Sequence, residues 1–181
     1  MKKIFKAFLL TLALVTISAV ACASPENPTD SEVLAAYNTA LPVFEWFDIK
    51  PLPTNGEEKK ELGFMIYYNV TDPKIKSMDS LRSAMDKVFT STFSSMLITS
   101  RNMYREFNGT LYVAPAGRKV NKYAGNTTFK VTQRTADKIV LQASTEIFGK
   151  DLKTVATHKT LNFDYVKTPS GWRFATFEAV K

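Results

Sequence analysis

Ser77-Met-Asp-Ser-Leu-Arg-Ser-Ala-Met-Asp-Lys-Val-Phe-Thr-Ser-Thr-Phe-Ser-Ser-Met-Leu-Ile-Thr-Ser100 is the stretch on which the fold reading turns. Its apolar residues fall at Met78, Leu81, Met85, Val88, Phe89, Phe93, Met96 and Leu97. That spacing of three and four predicts one apolar stripe on one long helix. Ser77 suits the N-cap, Asp79 suits the positive end of the helix dipole, and Arg82 and Asp86 stand four apart for pairing. Phe89 and Phe93 share the stripe and are predicted to be buried.

What surrounds this segment is written mostly for strands. Leu62 to Val70 reads as a first strand, apolar nearly throughout. Tyr104 to Phe107 and Thr110 to Val113 flank Asn108-Gly109, the strongest two-residue hairpin signal. Thr127 to Gln133, Lys138 to Ile147, Thr154 to Val166 and Trp172 to Val180 follow as a meander. The fold class predicted is α+β, with a curved antiparallel sheet wrapped around the Ser77–Ser100 helix in an NTF2-like or cystatin-like cone. A second amphipathic helix opens at Ser31-Glu32-Val33-Leu34, and Pro42 should bend or break it. The run Glu57 to Glu61 reads as solvated charge.

Residues 1–23 read as a secretory signal. Lys2, Lys3 and Lys6 precede a short apolar run from Ala7 to Ser18, too short to span a bilayer comfortably. Ala21-Cys22-Ala23 fits cleavage before Ser24, whereas Ala19-Val20-Ala21-Cys22 resembles a bacterial lipobox that would leave Cys22 lipidated. Residues 24–31 read as a tether and residues 32–181 as one domain, exported to the envelope, periplasm or exterior. Cys22 is the single cysteine of the 181 residues, so no disulfide can form within the chain. The formal charge is +7; without the three lysines of the signal it falls to about +4, too mild and too scattered to suggest nucleic acid.

The chemistry-bearing residues do not assemble a catalytic motif. His158 is the single histidine, and it lies in an alternating strand run with no second histidine to share a metal. No nucleophile elbow and no glycine-rich phosphate loop is present. The reading is therefore non-enzymatic, with hydrolase chemistry disfavoured and no cofactor. The candidate contact residues are aromatic and basic. Arg118, Lys119, Lys122 and Tyr123 lie on the loop from Ala114 to Gly125, with Tyr112 just before it. Tyr68, Tyr104 and Trp46 are candidates for a pocket at the open end of the sheet. Arg118 and Tyr123 are expected to be exposed, so that replacing both by alanine leaves stability within about 0.5 kcal/mol.

Tyr68 to Arg118 resembles the bacterial D,L-endopeptidase inhibitor family. The similar features are a tyrosine strand, the turn Thr71-Asp72-Pro73, a helix containing Phe-Thr-Ser-Thr-Phe-Ser-Ser-Met (89–96), and the hairpin Tyr-Arg-Glu-Phe-Asn-Gly-Thr-Leu-Tyr-Val-Ala-Pro-Ala-Gly-Arg (104–118). The resemblance covers about a third of the chain. It implies a secreted inhibitor of cysteine-dependent cell-wall endopeptidases, with its contacts on the loop from Ala114 to Tyr123. The partner expected is a cell-wall endopeptidase or another envelope protein, with the membrane touched only through a lipid on Cys22. An NTF2-like module holding a small ligand or glycan in its pocket is the alternative.

Overall fold

A computed structural model describes residues 27–115 and 117–180. The signal, Cys22 and the start of the tether lie outside the described residues. The first helix, α1, spans Asp30–Glu45 and begins earlier than Ser31. Thr29 caps it, and Glu32 reaches back to the Thr29 amide at 2.7 Å, completing a capping box. Pro42 does not break this helix. It stands in the last turn, where the loss of one backbone donor disturbs little of the helix.

The Ser77–Ser100 segment is not one long helix but two short ones, α2 at Met78–Met85 and α3 at Ser91–Arg101. Ser77 caps α2 as the sequence predicts. A local cap and a long-range pairing together mark the break. Thr90 leaves helical geometry and caps α3, its hydroxyl accepting from the Phe93 amide at 3.3 Å. Strand-like pairing takes over beside it: Phe174 N donates to Val88 O and Thr90 N donates to Phe174 O, both at 3.0 Å. Arg82 does not pair with Asp86; its guanidinium donates to Ser95 Oγ at 2.7 Å and so ties α2 to α3. Of the predicted stripe, Leu81, Met85, Phe89, Phe93 and Leu97 are buried, whereas Met96 is exposed.

The strands form two four-stranded antiparallel sheets. The first has the order β1-β2-β4-β3, built from β1 Thr54–Leu62, β2 Met65–Val70, β3 Tyr104–Phe107 and β4 Thr110–Val113. The run from Leu62 to Val70 is thus not a single strand. It turns at Gly63-Phe64, and the charged residues 57–61, exposed as expected, belong to β1. The Asn108-Gly109 hairpin is where the sequence puts it, both residues at positive φ. The second sheet is the predicted meander, with β5 Ala124–Arg134, β6 Lys138–Phe148, β7 Val155–Thr168 and β8 Gly171–Phe174 in order. β8 stops at Phe174, and residues 175–180 run on without strand pairing.

That last segment enters the core. The Phe177 ring stacks on Tyr37 and Phe163 at 5.0 and 5.2 Å and meets Phe89 and Phe174 edge-on. Around this cluster α1 contributes Val33, Ala40 and Phe44, and β6 contributes Ile139, Leu141 and Ala143.

Phe89 is 0% exposed at the centre of this packing. Phe89→Ala should lower unfolding stability by about 3–5 kcal/mol; a urea midpoint near wild type would contradict its place in the core. Burial pushes the Tyr37 hydroxyl from its ordinary 10.0 up to about 12, with the Glu45 carboxylate adding to the effect. The neutral phenol is the form the fold favours. Its contribution is complete below pH 10 and is lost as pH rises toward 12, so alkaline unfolding should coincide with tyrosinate absorbance and move to higher pH in Tyr37→Phe.

Candidate functional site

A cleft of about 710 Å³ opens between α3, the loop after β4, β7 and the C-terminal segment. Its floor is apolar and comes from three directions: Phe44 of α1, Phe93 and Leu97 of α3, and Phe177. Met96 adds exposed apolar surface at its side. The rim is charged. Arg101 ends α3, Arg118 comes from the loop, and Lys159 comes from β7, whose inward face is solvated at this end. Asp48 and Glu178 supply the carboxylates, and Lys159 Nζ lies 2.6 Å from Glu178.

One ion pair fixes the rim. Asp48, just past α1, is only 5% exposed. Arg118 Nε donates to its Oδ1 at 2.9 Å, and the second guanidinium arm lies 2.8 Å from Oδ2. The Arg118 amide also donates to the Asp48 carbonyl at 2.9 Å. Gly117 makes the approach feasible, since a Cβ there would stand 3.0 Å from the Asp48 carbonyl oxygen and 3.2 Å from that of Ile49. The loop is therefore clamped at its middle, and Arg118 is a structural strut as well as a rim residue. Arg118 is exposed, as expected, but its pairing with Asp48 argues against the expectation that its removal leaves stability nearly unchanged.

Beyond the clamp, Lys119 and Lys122 are exposed. Tyr123 is half-buried; its carbonyl accepts from the Phe148 amide at 2.8 Å, and Lys122 Nζ lies 5.1 Å from its ring centre. The six loop positions 118–123 thus hold three basic side chains and one aromatic on a pinned backbone.

The other predicted residues do not converge on the cleft. Tyr104 is buried, donating from its hydroxyl to Trp46 O at 2.9 Å and accepting from Leu52 N at 3.0 Å. It ties α1 to the first sheet, and burial raises its pKa. Trp46 is half-buried against the main core, and Tyr68 is half-buried on β2. Tyr112 is buried in a separate cluster with Tyr67 and Ala114, and its hydroxyl donates to Glu58. That bond holds the tyrosine pKa up and the Glu58 pKa down. His158 is exposed on β7 opposite Glu146. Sequence reasoning missed Phe44, Phe93, Leu97, Arg101, Lys159 and Phe177 as neighbours, because the tail that gathers them was read as a strand. No family model matches the chain, and no curated protein is significantly similar to it.

Arg118→Ala should cost about 2 kcal/mol, because it leaves a buried carboxylate without its counter-charge on a partly solvated rim. Asp48→Asn in the same chain should recover part of the loss, while Lys119→Ala should stay within about 0.5 kcal/mol of wild type. Thermal unfolding of the three variants checks the ordering.

Proposed function

We propose that this chain is a non-enzymatic, exported protein of the bacterial envelope that inhibits a cell-wall D,L-endopeptidase by occlusion. The observation that carries the reading is the clamped basic loop: the Arg118–Asp48 pair holds Lys119, Lys122 and Tyr123 in place beside an open cleft. Pre-ordering lowers the entropy lost when a loop docks. Exposed lysines around a half-buried tyrosine suit an enzyme surface whose rim is acidic. The resemblance of Tyr68 to Arg118 to the inhibitor family supports the same partner class. In this reading, lipidation of Cys22 or cleavage before Ser24 decides whether the protein is tethered or free.

We take the meander to curl around the helical layer in an NTF2-like or cystatin-like plan. The odd-numbered core residues of β6 and β7 support this, as do the register shifts in β5 that increase local twist. A small ligand or glycan is the second reading, favoured by the apolar floor and charged rim of the cleft.

The test is inhibition of purified D,L-endopeptidases on peptidoglycan. Lys119→Glu with Lys122→Glu should weaken inhibition at least tenfold, about 1.4 kcal/mol, with unfolding unchanged. If the wild-type protein inhibits no such enzyme, the inhibitor reading fails. Soluble muropeptides would then be tried for a rise in Tm that Lys159→Glu removes, as the ligand reading requires.

A further inference from the structure

The β1–β2 hairpin ends in Leu62-Gly63-Phe64-Met65-Ile66, and every large side chain there is exposed. Phe64 is fully exposed, while Leu62, Met65 and Ile66 are 50%, 38% and 41% exposed. The turn has two residues, with Gly63 at φ 61° between the paired Leu62 and Met65. Four apolar side chains concentrated on one tip are not the scattered exposure of an ordinary surface.

From this tip we infer a membrane-interface contact: the hairpin inserts end-on into the headgroup and upper acyl region of a lipid bilayer. The distribution of polarity selects the occupant. Directly paired residues share a face of a ribbon. Leu62 with Met65 therefore lies on one face, Ile66 with Glu61 on the other, and Phe64 at the end. The tip carries apolar side chains on both faces, and behind it β1 puts charge on both, Lys60 on one and Lys59 and Glu61 on the other, while β2 continues uncharged. Along β1 polarity switches from charged to apolar at Leu62. A one-sided protein groove would leave half of such a tip in water, whereas a bilayer surrounds it. A second copy of the chain is also a poor occupant, since a stable dimer needs about 800 Å² from each partner and this tip is two strands wide.

The scale fits as well. From the Glu61–Ile66 level to the turn is roughly 7–10 Å of strand and side chain, comparable with the depth at which interfacial helices lie. The charges at that boundary nearly balance: Lys59 and Lys60 stand beside Glu58 and Glu61, with Lys59 Nζ 3.3 Å from Glu61, and Glu58 accepts hydrogen bonds from Tyr112 and Asn69. Lys60 is exposed and long enough to reach headgroups. Insertion is therefore apolar in origin, with little dependence on lipid charge. Where Cys22 is acylated, the roughly five residues from it to Asn27 span at most about 18 Å, which keeps the body within reach of the same bilayer. This contact does not depend on the inhibitor reading.

The chain from Ser24 onward, which holds every described residue and no lipid, should co-sediment with phosphatidylethanolamine–phosphatidylglycerol vesicles. Phe64→Ser should lower that partition at least tenfold with unchanged unfolding, whereas Val120→Ser, which removes an exposed apolar side chain elsewhere, should not. Raising the salt from 0.1 to 0.5 M should change wild-type binding less than twofold, as apolar insertion requires. The inference is overturned if the folded wild-type chain stays in the supernatant, or if Phe64→Ser binds as well as wild type. Either result would leave the tip to a protein socket or to no partner.

Discussion

The packing of Phe177 is the constraint on which the rest of this molecule depends. Its ring touches Tyr37, Phe44, Phe89, Phe163 and Phe174, and so joins α1, the segment between α2 and α3, β7 and β8. A residue outside regular secondary structure thus holds the helical layer against the meander. The same packing explains the break after α2. Phe89 bridges to Phe174 through the backbone and sets its ring on Phe177, and the pairing of Val88 and Thr90 with Phe174 satisfies the polar groups released where the helix stops.

The cleft follows from that arrangement. Residues 177–180 form one wall of the opening, and Glu178 engages Lys159 there. The opposite wall is the loop held by Arg118 on Asp48. Both walls are irregular chain: the loop is held through Arg118 on the buried Asp48 carboxylate, and residues 177–180 are held by the burial of Phe177 and Ala179, with the Glu178–Lys159 contact at the surface.

The sequence carried the strand meander and the Asn-Gly hairpin clearly, because alternation and turn chemistry are local signals. It also carried the buried stripe of Phe89, Phe93 and Leu97. It did not show that the stripe is divided, since Val88-Phe89-Thr90 keeps helical spacing while pairing with a strand far along the chain. The hairpin at Gly63-Phe64 was hidden for a related reason: an apolar run through a turn looks like one buried strand. For the site, Arg118 was legible as a residue of interest, but its role was not. Asp48 lies 70 positions away, and nothing in the spacing announces that pair. The tyrosines misled because their hydroxyls find partners inside the structure, Tyr104 on Trp46 and Leu52, Tyr112 on Glu58.

The position of Phe177 along the chain also bears on how the protein comes into being. Synthesis delivers a polypeptide from its amino terminus. α1, both short helices and seven strands are complete before residue 171 appears, yet the aromatic centre stays open until residue 177 arrives. Until then Tyr37, Phe89 and Phe163 lack the ring that covers them. The aromatic interior therefore closes only after α1, α2, α3 and β1 to β7 have all been delivered, and until then those rings are open to contacts with other chains.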